Sequence, residues 1–278
     1  MRTVAALGLR AARTELIVVE DQAAIVVERY DRATDGAGEV VRRHQEDLCQ
    51  ALGVPPDKKY AADGGPSPQQ IATLLRAYGG ERDVEDFARG LIANALLGAP
   101  DAHAKNYSIL LVGDQIRLAP LYDVATGLLR SSDGRFRYGR LAMSVGGANR
   151  IGEIGLSGWE RCATALDLPS DWVLAEVDRQ LDLVPAALDA ALSALPAETP
   201  GLREVRDELL PNVARLTTLN RANRSHRSLS TRHRRALDQL ADERARTARR
   251  PPSTQQPVDL DSSHPSHGFD EPEPPPTR

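Results

Sequence analysis

The chain has 278 residues, 41% of them hydrophobic, enough to bury one sizeable core or two small ones. Its two cysteines, Cys49 and Cys162, exclude a disulfide framework, and no C-x-x-C pair offers a zinc site, so a reducing cytoplasm is the expected setting. The net charge of −4 is uneven: residues 221–250 hold ten Arg against Asp238, Asp242 and Glu243, and residues 251–278 hold five acids against Arg278.

At the start, the apolar stretch Val4 to Leu9 is too short for a signal sequence and runs into Arg10 and Arg13. No apolar run reaches the roughly 18 residues that cross a bilayer, so no membrane contact is expected. Two β-branched runs, 14–19 and 24–30, flank Glu20-Asp21-Gln22-Ala23 and predict a β-hairpin. An Asp- and Gly-rich loop follows at 31–38. Residues 45–53 then read as a short helix stopped by Gly53 and Pro55. Ser67 and Pro68 suit the N-cap and first position of a helix running through Leu75.

Between Asp83 and Leu97 the apolar residues fall at 84, 87, 91, 92, 95 and 96, one stripe of a helix interrupted by Gly90. A polar loop at 99–106 leads into a second β pair, 108–112 and 116–119, joined by Gly113-Asp114-Gln115. Helical patterning resumes over 157–220. Residues 221–250 predict a basic helical extension, whose Arg either touches nucleic acid or is simply solvated surface. Residues 251–278 hold eight prolines and almost no large apolar side chain, so a disordered tail is expected there.

The informative stretch is Gly98-Ala99-Pro100-Asp101-Ala102-His103-Ala104-Lys105-Asn106, followed by the hairpin and then Leu118-Ala119-Pro120-Leu121-Tyr122-Asp123. Phosphoryl transfer needs a carboxylate to orient the attacking hydroxyl and oxygen ligands to hold Mg²⁺ on the phosphates. Asp101 and Asn106 have the five-residue separation of a kinase catalytic loop, and Asp123 follows a hairpin, where a metal-binding Asp belongs. The same residues also suit plainer roles, Asp101 as a turn cap, Asn106 at a strand edge and Asp123 as a helix cap.

The run D-A-H-A-K-N-Y-S-I-L-L with L-A-P-L-Y-D resembles the C-terminal domain of HipA-type serine/threonine kinases, the toxins of bacterial toxin–antitoxin pairs. Val27 to Arg32 resembles that family's hinge strand. His44 to Asp47, Lys59 to Pro66 and Leu141 to Ser144 resemble further blocks in the same order. The resemblance covers residues 3–220. It implies an α+β, mainly α fold: an N-lobe remnant at 1–32 with strands and hinge, then a helical, protein-kinase-like C-lobe at 33–220. It further implies Asp101 as catalytic base and Asn106 and Asp123 as Mg²⁺ ligands. ATP would be bound by Glu28, Arg29, Tyr30, His103, Lys105, Asn106, Tyr122 and Asp123, with His103 and Lys105 facing the phosphates and Tyr122 serving chiefly in packing. The implied partners are a protein substrate such as an aminoacyl-tRNA synthetase, a HipB-like antitoxin, and DNA through the antitoxin complex.

The family carries a phosphate-binding loop and a strand lysine before the hinge. Here the lysines are Lys58, Lys59 and Lys105, and no G-x-G-x-x-G or Walker pattern occurs. The expectation is therefore a chain shortened at its N-terminus, or a start codon placed within a longer frame, with impaired transfer as written. Two alternatives stand beside the kinase: a catalytically dead remnant that binds antitoxin or DNA, and a small-molecule phosphotransferase of the aminoglycoside type. In the latter the His precedes the Asp, whereas His103 follows Asp101.

Overall fold

A computed structural model describes residues 1–20, 22–129 and 139–225. The tail at 251–278 lies outside the described residues, as does all of the basic extension except residues 221–225.

After a short helix α1 (Arg2–Ala6), strands β1 (Thr14–Val19) and β2 (Gln22–Val27) form an antiparallel hairpin. Its register pairs Thr14 with Val27 and Val19 with Gln22, so β2 begins and ends earlier than the β-branched run suggests. The Glu28 N–H continues the ladder to the Arg13 carbonyl at 2.9 Å, and the chain then turns at Tyr30. That turn is anchored by Asp31, whose fully buried carboxylate accepts two bonds from Arg29, at 2.7 and 2.6 Å, and a third from Arg32. Strands β3 (Arg32–Thr34) and β4 (Val40–Arg42) make a second small hairpin.

The helix expected over 45–53 is corrected. Residues Gln45–Asp47 are a strand, β5, in a three-stranded sheet with β6 (Ser108–Val112) and β7 (Gln115–Leu118), and only Leu48–Ala51 is helical, as α2. Pairing of Asp47 with Ser108 and of Gln45 with Leu110 dictates the strand. The Asp47 side chain then caps α2 by accepting the Cys49 and Gln50 N–H groups.

The helical body begins with α3 (Pro68–Tyr78), where Ser67 and Gln70 form a capping box and Pro68 takes the first position. In α4 (Glu81–Leu96) the stripe Val84, Phe87, Leu91, Ile92, Ala95 and Leu96 is wholly buried. A hairpin of β8 (Arg140–Val145) and β9 (Ala148–Arg150) buries Leu141, Met143 and Val145 in alternation. Helices α5 (Leu156–Leu166), α6 (Ser170–Ser193) and α7 (Leu202–Ser225) complete the core around Trp159, Val177 and Val213.

Three contacts fasten the sheet and the residues flanking it to α4. Gly90 lets Leu121 approach, since a Cβ there would lie 3.0 Å from Leu121 Cδ2. The buried Asp83 carboxylate accepts the Leu118 N–H at 2.7 Å and faces Arg117 at 3.2 Å. Asn94 donates to the Tyr107 hydroxyl at 2.7 Å. The segment after α1 also runs beside Leu121, which donates to the Arg10 carbonyl and accepts from the Ala12 N–H, both at 2.8 Å.

Candidate active site

Just past the C-cap of α4, Gly98 has a φ of +61° and is packed against Leu128, so the chain turns sharply into the polar loop that carries Asp101. The loop then folds back on itself. The Asp101 carbonyl accepts the His103 N–H at 2.8 Å and the Asn106 Nδ2 at 2.7 Å, and the Asn106 N–H donates to the His103 carbonyl at 2.9 Å. A 3₁₀ turn at Ala104–Asn106 makes this closure possible. The five-residue separation of Asp101 and Asn106 is therefore a geometric device that sets one side chain against the other's backbone.

The Asp101 carboxylate is exposed and accepts a hydrogen bond from the Tyr60 hydroxyl at 2.8 Å on Oδ1. His103 Nε2 lies 3.7 Å from the same oxygen. His103 is only 4% exposed, and among the described residues its Nδ1 has no hydrogen-bond partner. Burial pushes its pKa below the usual imidazole value, while the charges of Asp101 and Asp123 pull the other way. His103 thus stands buried behind Asp101, with its Nε2 toward the Asp101 carboxylate.

Beyond β7, Tyr122 ties the next segment to the loop, because its hydroxyl donates to the Lys105 carbonyl at 2.7 Å and lies 2.6 Å from Ser108 Oγ. Asp123 follows with a φ of +54°, a left-handed conformation uncommon outside glycine. Among the described residues no protein group bonds to its exposed carboxylate.

On the other side of Tyr122 a cleft of about 310 Å³ is lined by Glu28, Arg29, Tyr30, Asp47, Lys105 and Tyr122, among others. The rings of Tyr30 and Tyr122 stack with centroids 5.7 Å apart, and burial raises the pKa of both phenols. Lys105 is held by Asp47 at 2.7 Å, a contact that raises the ammonium's pKa. A larger cavity, about 500 Å³, lies between Gly8–Arg10 and the first half of α4. None of the expected site residues reaches it, and its charges pair among themselves, Arg10 with Asp86 at 3.2 Å and Arg89 with Asp86 at 2.9 Å.

The fold thus gathers Glu28, Arg29, Tyr30, Lys105 and Tyr122 at one cleft, and places Asp101, His103 and Asn106 on the adjoining loop with Asp123 one residue past the shared Tyr122. Sequence reasoning gave no role to Asp47 or Tyr60, although both lie in blocks it singled out. Asp47 carried a legible signal, a capping residue three positions before Gln50. Tyr60 carried none. Among the described residues no group of three or more His, Cys, Asp or Glu is arranged around an ion. Mg²⁺ needs no such cage, since one or two side-chain oxygens and substrate phosphates suffice. The donor chemistry suits that requirement: among the described residues Asn106 bonds through its Nδ2 and leaves its Oδ1 unbonded, and the Asp123 carboxylate is unpaired.

The profile of the HipA-like C-terminal domain matches residues 1–188. The chain is 39% identical over 165 residues to the putative kinase Y4mE of Sinorhizobium fredii, covering 59% of this chain and 38% of that protein. It is 29% identical over 153 residues to the serine/threonine-protein kinase toxin HipA of Shewanella oneidensis, covering 45% and 32%. The chain therefore spans about a third of the length of these curated relatives. Among solved structures, the S. oneidensis HipA, determined with HipB and its operator DNA, superposes with a TM-score of 0.67 at 25% identity over 77% of this chain and 54% of that one. The Helicobacter pylori kinase CtkA, at 12% identity and a TM-score of 0.53, covers 78% of this chain and 80% of its own, and shares the fold. The expected α+β, mainly helical, kinase-like architecture is what these neighbours share with the chain.

Proposed function

Because the chain belongs to the HipA-like C-terminal domain family, whose named relatives are kinases, we propose that it carries the base-and-metal half of an ATP-dependent serine/threonine protein kinase site. The observation that carries this reading is the convergence of two distant segments: residues 28–30, at the end of the β1–β2 hairpin, meet Lys105 and Tyr122 across one cleft, beside the loop that holds Asp101 and Asn106.

In this reading the Glu28–Tyr30 segment supplies backbone groups to an adenine, with the Tyr30–Tyr122 pair forming an aromatic wall. Lys105 offers a positive charge held in place by Asp47. Asp101, exposed and anchored through Oδ1, accepts the proton of an attacking hydroxyl. Asn106 and Asp123 would hold Mg²⁺, which neutralises charge on the transferred phosphoryl group when bound. The substrate is a protein hydroxyl, an aminoacyl-tRNA synthetase being one such protein.

The S. oneidensis neighbour was determined with HipB and DNA, which supports a second proposal, that the helical body also contacts a HipB-like antitoxin. No described helix is long and apolar enough to cross a membrane.

Calorimetry with Mg²⁺ and ATP tests the assignment of roles. Asp123→Ala should abolish Mg²⁺-dependent binding, whereas Asp101→Ala should keep binding and lose transfer, because a base acts on the hydroxyl and not on the ground-state nucleotide. Equal loss of binding in both variants would overturn it.

A further inference from the structure

We infer that Tyr60 is a positioning residue for the proposed base: its hydroxyl fixes the Asp101 carboxylate through Oδ1 so that Oδ2 is presented to the acceptor hydroxyl. This deepens the kinase reading and rests on it.

Three observations carry the inference. First, the Tyr60 hydroxyl donates to Asp101 Oδ1 at 2.8 Å, and His103 Nε2 lies 3.7 Å from the same atom, while among the described residues no protein group bonds to Oδ2. One oxygen is engaged by the protein and the other is left for chemistry. A carboxylate on an exposed loop otherwise rotates about its terminal torsion, a broad, roughly two-fold profile, so a single strong donor on one oxygen selects an orientation.

Second, Tyr60 is itself held. Its ring meets the buried His103 ring edge-on, with centroids 5.2 Å apart and planes at 77°, and Lys59 Nζ lies 5.0 Å from the centre of the Tyr60 ring. Its carbonyl accepts the Asp63 N–H at 3.0 Å and the Gly65 N–H at 2.9 Å, closing the 3₁₀ turn Ala61–Asp63. Gly64 sits at a φ of +85°, a conformation strained for most side chains, and a Cβ on Gly65 would lie 2.2 Å from the Lys58 carbonyl oxygen, so the turn favours glycine at the first place and requires it at the second.

Third, the same segment is stitched to the catalytic loop by its backbone, the Ala104 N–H donating to the Lys59 carbonyl at 3.4 Å. The buttress and the group it supports are therefore positioned by one another. The role belongs to the hydroxyl, which the ring and the turn merely place.

The test compares Tyr60→Phe, Asp101→Asn and the double variant in the full protein. Phosphoryl transfer is measured at saturating ATP, ATP affinity by calorimetry, and the thermal midpoint alongside. Tyr60→Phe keeps the ring against His103, so the fold and ATP affinity should be unchanged while kcat falls by about 10- to 100-fold, the scale of losing orientation at a reacting group. The double variant should transfer no more slowly than Asp101→Asn alone, because the hydroxyl acts only through the carboxylate. An unchanged kcat in Tyr60→Phe, with Asp101→Asn inactive, would sink the Tyr60 role and leave the base assignment standing. A parallel fall in ATP affinity and thermal midpoint would show a merely structural tyrosine, and a further loss in the double variant would show action independent of Asp101. Full transfer by Asp101→Asn would overturn the base assignment itself.

Discussion

The β1–β2 hairpin and helix α4 are built from the same kinds of apolar side chain and meet opposite fates. In α4, Val84, Phe87 and Ile92 are at most 1% exposed, whereas in the hairpin Val19 is 59% and Ile25 70% exposed. The α4 residues recur at helical spacing, so they form one stripe, and the core clusters around that stripe. In the hairpin, consecutive β-branched residues point to alternate faces, which is the pattern of a strand meant to be covered on both sides. Apolar content therefore states how much burial a segment can use, and the periodicity states how many faces must be covered. The two walls of the candidate site differ accordingly: the loop bearing Asp101 grows out of the best-packed helix, and residues 28–30 hang from the least-packed strand pair.

The comparison predicts its largest effect at Phe87. The ring is fully buried and packs edge-on against Tyr107 with centroids 5.2 Å apart. Phe87→Ala should cost about 3–5 kcal/mol of stability, read as a lower denaturant midpoint at unchanged m, because the ring's transfer energy and the cavity it leaves add. A loss below about 1 kcal/mol would mean that α4 is not the rigid platform of the loop bearing Asp101, and the contrast between the two walls would disappear.

A smaller, pH-dependent effect belongs to Asp31, the anchor that compensates for the hairpin's poor packing. The hydrogen bonds from Arg29 pull its carboxyl pKa from 3.8 down to about 2 against the opposing effect of burial, with Arg32 adding to the pull. A pKa depressed in the folded state contributes stability that is fully present above the unfolded value and is lost as pH falls from about 4 to about 2. Acid unfolding followed by circular dichroism should therefore show a steeper fall of stability across that window in the parent than in Asp31→Asn. Identical slopes would mean that Asp31 does not hold the turn at Tyr30.

How much of this was legible in the sequence depended on how local the determining contacts are. Helices α3 and α4 were readable because a cap, a proline and a six-residue stripe lie within one segment. Strand β5 was not, since Gln45-Glu46-Asp47 has no apolar residue and is a strand only because β6 lies beside it. The site divides in the same way. Asp101, Asn106 and Asp123 could be named from their spacing around a hairpin together with the family resemblance. Tyr60 reaches Asp101 across 41 residues and Asp47 reaches Lys105 across 58, pairings that exist only once the turn at 61–65 and the cap of α2 are folded.

The smallest expected effect sharpens the comparison most. Ile25 pairs with Leu16 across the hairpin and is 70% exposed, so replacing it with Thr keeps the β-branch and the strand preference and removes only apolar surface that already faces water. The folded and unfolded states then differ little in how they solvate that side chain, and Ile25→Thr should change the stability of this chain by no more than about 0.5 kcal/mol. The same substitution on the α4 stripe, Ile92→Thr, replaces a buried ethyl group with a hydroxyl that has no partner among the apolar side chains around it, two costs that the exposed position escapes. Chemical denaturation of the pair measures the asymmetry directly. If Ile25→Thr proved as costly as Ile92→Thr, the hairpin would have to be covered in the folded protein, and the wall bearing residues 28–30 would be as firmly built as the wall bearing Asp101.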